Sequence, residues 1–137
     1  MWTNSDCLRS RWSQIFCLAL DCSCGQAADE LFAKEGEHEA YEHDMKLWWP
    51  HNEILISSMM LYRDTGNEQD LDWFFKTLDY CQKHFSDPAY GEWYGYLRRD
   101  GLPTMPSTKG STFKGPFHLP RCLMQLDRMM TEIEARA

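Results

Sequence analysis

The stretch Ile54-Leu55-Ile56-Ser57-Ser58-Met59-Met60-Leu61-Tyr62 decides how this chain folds. As a helix it is apolar around nearly its whole circumference, and such a helix is wrapped by protein on most sides. Just upstream, Pro50 marks a start, because the first helical turn is where a missing N–H costs nothing. Just downstream, Gly66 supplies a stop, since a left-handed residue closes helices well. The spacing predicts a buried helix over residues 50–63.

Beyond that helix the pattern changes. Asn67 can cap a second helix, with Glu68, Asp70 and Asp72 near the positive end of its dipole. Leu71, Phe74, Phe75, Leu78, Cys81 and Phe85 recur at i, i+3, i+4 and i+7, whereas Asp72, Lys76, Asp79, Gln82 and Lys83 fill the remaining face. This is an outer helix with one side in water. After Asp87-Pro88, the aromatic run Glu92-Trp93-Tyr94-Gly95-Tyr96-Leu97 is strand-like and Asp100-Gly101 is a favoured turn dipeptide. Residues 92–113 therefore read as a short hairpin or long ordered loop. A third helix is expected over residues 120–135, buried along Leu119, Leu123, Leu126, Met130 and Ile133, with Cys122 and Met129 widening the stripe. The fold class is all-α, with inner helix, outer helix, β-hairpin-like loop and inner helix in order. Two concentric helical layers are implied, and three helices alone encircle nothing.

Composition narrows the function. The net charge of −7 and the lack of a basic stripe argue against nucleic acid. Aromatic residues make up 14% of the chain, enough to serve both a core and flat faces for stacking on sugar C–H surfaces. Of six cysteines, Cys7, Cys17, Cys22 and Cys24 crowd the N-terminus while Cys81 and Cys122 sit inside helical patterns. That distribution suits neither a secreted disulfide framework nor a zinc site, since Cys22-Ser-Cys24 lacks the usual ligand gap. Free thiols in a reducing, cytoplasmic setting fit better, with no metal. Ile15-Phe16-Cys17-Leu18-Ala19-Leu20 is too short to span a bilayer and shorter than a signal-peptide core. No membrane partner is expected.

Three blocks carry a family resemblance. Lys46-Leu47-Trp48-Trp49-Pro50-His51-Asn52-Glu53 resembles the Lys-x-Trp-Trp-Pro-His-x-Glu element of the N-acylglucosamine 2-epimerase family, also known as renin-binding protein. Asp87-Pro88-Ala89-Tyr90-Gly91-Glu92-Trp93-Tyr94-Gly95-Tyr96-Leu97 is similar to its next block, and Lys114-Gly115-Pro116-Phe117-His118-Leu119-Pro120-Arg121 to its closing one. The resemblance runs from Tyr41 to Ile133. Residues 1–40 stay unassigned, and residues 41–137 read as the C-terminal part of a partial (α/α)6 barrel, its last three or so helices.

The resemblance implies interconversion of N-acetylglucosamine and N-acetylmannosamine. The aldehyde at C1 of an open-chain sugar acidifies the C2 proton, and inversion needs an acid/base group on each face of C2. Histidine suits both roles, and a cation or donor stabilises the enolate. On this basis His118 is the catalytic residue. Glu53, Arg121, His51, Lys114 and Trp49 are the substrate-binding candidates, with Trp48 beside them. No cofactor is required, although nucleotide (ATP) activation, shown by some family members, stays open. An amino sugar or related aldose is the expected partner, with a homodimer and a protein partner also open.

The family's other histidine lies in a Pro-Gly-His-x-x-Glu-Trp stretch, and no Gly-His dipeptide occurs here. Half of a two-base mechanism epimerises poorly, so the chain alone is expected to have negligible activity and to expose apolar surface. Without the resemblance, His118 reads as a helix cap, Glu53 as a first-turn acid, Arg121 as a surface ion-pair partner, the two tryptophans as core, and His38, His43 and His84 as solvated. Two other classes remain: a non-catalytic protein-binding module of the same family, and a small secreted Cys-containing protein.

Overall fold

The computed structural model describes residues 45–136. His38, His43, the four N-terminal cysteines and the apolar run at residues 15–20 lie outside the described residues. The elements are strand β1 (Met45–Leu47), helix α1 (Trp48–Thr65), helix α2 (Glu68–His84), strand β2 (Tyr96–Arg98) and helix α3 (His118–Glu134).

Helix α1 begins two residues earlier than the sequence predicts. Pro50 is its third residue, still within the first turn, where its missing N–H has no intrahelical acceptor. The stop falls as expected: Gly66 adopts φ 66° and its N–H reaches the Tyr62 carbonyl at 2.8 Å. Trp48, His51, Asn52, Ile54, Leu55, Ile56, Ser58 and Met59 are all buried, so the helix is enclosed on most sides. It packs against both α2 and α3 and is the spine of the described fold. Each large apolar side chain buried there contributes about 1.5–3 kcal/mol.

Asn67 caps α2, its Oδ1 accepting from the Gln69 N–H at 2.9 Å. Phe74, Thr77 and Cys81 form its buried stripe, continued by Phe85 beyond the helix end. Phe75, expected on that stripe, is 57% exposed. It sits one residue, a rotation of about 100°, from Phe74.

The hairpin reading needs correction. The Asp100-Gly101 turn does form, with Gly101 at φ 82° and its N–H bonded to the Arg98 carbonyl at 2.9 Å. Its return is a single bridge, Leu97 to Pro103, because proline has no N–H to continue a ladder. The strand partner of β2 is instead β1, antiparallel, with Lys46 opposite Leu97. His84 is not simply solvated either. Its Nδ1 lies 3.1 Å from the Gly101 carbonyl and its ring stacks on Tyr80, fastening the turn to α2.

Helix α3 starts at His118 rather than Pro120, so His118 is its first residue and Pro120 again its third. The expected stripe was too wide. Cys122, Leu126 and Met129 are buried, but Leu123 is 58% and Met130 39% exposed. Among the described elements α3 packs chiefly on α1, and one neighbour covers only one narrow face. No helix among the described residues is long and apolar enough to cross a membrane.

Candidate active site

The N-termini of α1 and α3 meet at one carboxylate. Glu53, in the second turn of α1, points its Oε1 at both His118 and Arg121 of α3. His118 Nδ1 is 3.1 Å away, and Arg121 Nη2 makes a close ion pair with the same oxygen. The three side chains are between 27% and 31% exposed, so the cluster is half-buried, open to a ligand yet partly shielded from bulk water. The sequence places His118 and Arg121 at i and i+3, on one face of a helix, which is why one oxygen can serve both.

The chemistry of the pair is directional. A carboxylate only accepts, so His118 Nδ1 carries the hydrogen, and in the neutral ring it is Nε2 that holds the lone pair. Arg121 is further held by Phe117, whose ring lies 5.2 Å from the guanidinium carbon. The result is an oriented imidazole beside a fixed cation.

A cleft of about 860 Å³ opens next to this cluster. The start of α1 supplies Trp48 and Trp49, α3 supplies His118, β2 supplies Tyr96, and the following loop supplies Thr104, Met105, Pro106, Thr108 and Phe113. Ring centroids of Trp49 and Trp48 lie 6.1 and 6.3 Å from that of His118. Trp48 is buried and packs edge-on to Tyr96, whereas Trp49 lines the cleft and is 43% exposed. Among the described lining residues His118 is the one imidazole.

Two sequence candidates lie elsewhere. His51 is fully buried in the core, its Nδ1 2.6 Å from the Leu47 carbonyl and its ring packed against Tyr80 and Phe85. It takes no part in the cleft lining, because these core contacts and the Leu47 carbonyl hold its ring inward. Lys114 is 6% exposed, and its ammonium bonds Glu92 at 3.1 Å and the Lys109 carbonyl at 2.7 Å rather than entering the cleft. Conversely, the loop wall was not foreseen. Its only sequence signal was the Pro103-Thr104-Met105-Pro106 stretch between Tyr96 and Phe113.

Cys122, next to Arg121, is not a nucleophile. Burial pushes its thiol up to about 12, with the Glu53 carboxylate adding and Arg121 opposing, so it stays protonated at neutral pH. It donates weakly to the Asn52 carbonyl at 3.5 Å. Burial likewise raises the Cys81 thiol, and both cysteines are free.

A family model described as N-acylglucosamine 2-epimerase (GlcNAc 2-epimerase) matches residues 3–119, starting inside the segment that residue reading left unassigned. The chain is 45% identical over 95 residues to the N-acylglucosamine 2-epimerase of Homo sapiens, covering 69% of this chain and 22% of that one. The Rattus norvegicus protein of the same name is 45% identical over 105 residues, covering 77% and 24%. Among solved structures, the cellobiose 2-epimerase of Spirochaeta thermophila DSM 6192 matches with TM-score 0.56 and 25% identity over 64% of this chain and 22% of that chain. A D-mannose isomerase structure matches with TM-score 0.56 over 68% and 26%; at 22% identity it shows the fold alone. These neighbours are (α/α)6 barrels, and the described helices are part of one. The chain spans about a quarter of the length of the curated relatives it matches.

Proposed function

Because the chain belongs to the N-acylglucosamine 2-epimerase family, we propose that its cleft forms one face of a sugar 2-epimerase site in which His118 moves the C2 proton. The observation that carries this reading is the Glu53–His118 hydrogen bond, which fixes the ring of a residue that lines an aromatic cleft. The substrate is an open-chain N-acyl amino sugar. His118 Nε2 takes or returns the proton on one face of C2, passing through an enolate whose oxygen draws on the Arg121 cation. Glu53 holds the tautomer and shares its charge with both neighbours. Trp49 offers a stacking face, and Trp48 backs it.

Epimerisation needs a second acid/base group on the opposite face of C2. Two donors at the site, Arg121 Nε and Trp48 Nε1, are shut from solvent without a hydrogen-bond partner among the described residues. That supports a site completed by polar groups outside the described residues or by the sugar itself. The 137-residue polypeptide is therefore expected to bind sugar but to epimerise it negligibly. The reaction chemistry needs no cofactor, and nucleotide activation is left to a direct binding test. Buried free thiols at Cys81 and Cys122 favour a reducing, cytoplasmic setting.

Titration of the chain with N-acetylmannosamine, followed by NMR of the His118 ring and the indoles of Trp48 and Trp49, tests the reading. Shifts at these three residues are expected, with those at His118 altered by Glu53→Gln. Saturating sugar that moves none of them would sink it.

A further inference from the structure

The geometry points to Lys114 as a positioning residue, matched to Gly95, that sets the loop wall of the cleft against its helical wall; its role in sugar binding rests on the reading above. The two walls are joined through one residue. Gly95 accepts from the Trp48 N–H at 3.1 Å, at the start of α1, and donates its own N–H to the Thr108 carbonyl at 2.9 Å, in the loop. Trp48 and Thr108 both line the cleft. A shift at Gly95 thus changes the spacing between them.

The Lys114 stem lies over that glycine. A Cβ built on Gly95 would meet Lys114 Cδ at 2.8 Å, while the next atoms, Lys114 Cβ and the Thr108 carbonyl, stand at an ordinary 3.7 Å. Gly95 is not left-handed, in contrast to Gly66, Gly91 and Gly101. Its backbone would accept alanine, so the demand for glycine comes from the lysine alone. Nor can the stem swing aside freely. Its ammonium is fastened to Glu92 and to the Lys109 carbonyl, and Lys109 in turn bonds Asp87 at 2.6 Å and the Gly91 carbonyl at 2.7 Å. Residues 87–92 and 109–114 are clasped together by two lysines, with Gly95 between them. Lys114 touches no cleft surface. It acts through the loop that does.

The test is a double-mutant cycle on the full 137-residue chain, read by hydrogen exchange of peptides covering residues 104–113. Lys114→Ala and Gly95→Ala are each expected to speed exchange there about tenfold, leaving α1 and α2 protected. The double variant should be no worse than Lys114→Ala alone, because the added Cβ then has nothing to meet. Lys114→Met keeps an apolar stem, and with it the fold, and should still speed exchange. Singles without effect, or a double that multiplies to about a hundredfold, would overturn the pairing. In a second arm, N-acetylmannosamine is titrated by tryptophan fluorescence, and each single variant is expected to weaken binding about tenfold without altering the emission of the free chain's buried Trp48. A wild-type chain that binds no sugar while the exchange cycle holds overturns the sugar reading and leaves the pairing supported. Unchanged affinity in the variants, with the loop loosened, overturns the positioning role.

Discussion

Helices α1 and α3 open alike and end differently. Each carries proline as its third residue, and each delivers one half of the Glu53–His118–Arg121 cluster from its first two turns. Past that point α1 is buried on most sides, whereas α3 leaves Leu123 and Met124 largely in water. Shared local chemistry at the N-terminus therefore builds the site, and the number of packed neighbours, not the apolar pattern, sets burial further along.

The sharpest way to break this contrast is to truncate equivalent leucines. Leu55→Ala in α1, at 2% exposure, should cost about 2–5 kcal/mol in urea unfolding. Leu123→Ala in α3 should stay within about 0.5 kcal/mol. Equal losses would mean that α3 is as enclosed as α1.

Next in size is the joint where the two helices agree. Glu53→Gln removes the charge shared by His118 and Arg121, and should destabilise the chain by about 1–2 kcal/mol, the half-exposed setting keeping the loss modest. Thermal melts of Glu53→Gln and Arg121→Gln, alone and combined, would show whether the pair acts as a unit. Simple additivity would mean that it does not.

How much of this was legible in the sequence follows from range. Asn67, Gly66 and the Leu71–Phe74–Leu78–Cys81 spacing act within a few residues, and the cap, stop and outer face all formed where the sequence puts them. The pairing of β2 with β1 was not legible. A strand of three residues carries no periodicity, and its partner lies some fifty residues upstream. The stripe on α3 was read too wide because apolar residues at helical spacing mark what can be buried, while coverage depends on neighbours. Within the site, His118, Glu53 and Arg121 came together as the family blocks imply. His51 and Lys114 share those blocks but serve the core and the loop clasp, a distinction of side-chain direction that motif spacing does not carry.

A smaller effect should distinguish the loop clasp from the helices. The Lys109 ammonium, then the Ala89 N–H, hold the Asp87 carboxyl down at about 2. Its folded value lies below the unfolded one of about 3.9, so the clasp's contribution is present above that unfolded value and is lost as pH falls through the folded value. Exchange in residues 87–92 should rise between about pH 4 and 2 before the helices melt, and Asp87→Asn should flatten that dependence. Simultaneous loss of loop and helices would contradict the separation. Smallest of all, Leu123→Ser should leave stability unchanged and reduce concentration-dependent association in sedimentation experiments. Unaltered association would place the sticky surface elsewhere.

The central claim is that this chain presents one oriented acid/base group, His118, to a sugar. Incubation with N-acetylglucosamine and N-acetylmannosamine in heavy water, read by proton NMR at C2, tests it most directly. The account predicts deuterium entering C2 of one sugar with its configuration retained, no appreciable formation of the other epimer, and loss of the exchange in His118→Gln. Rapid interconversion of the two sugars, or exchange that survives His118→Gln, would contradict it.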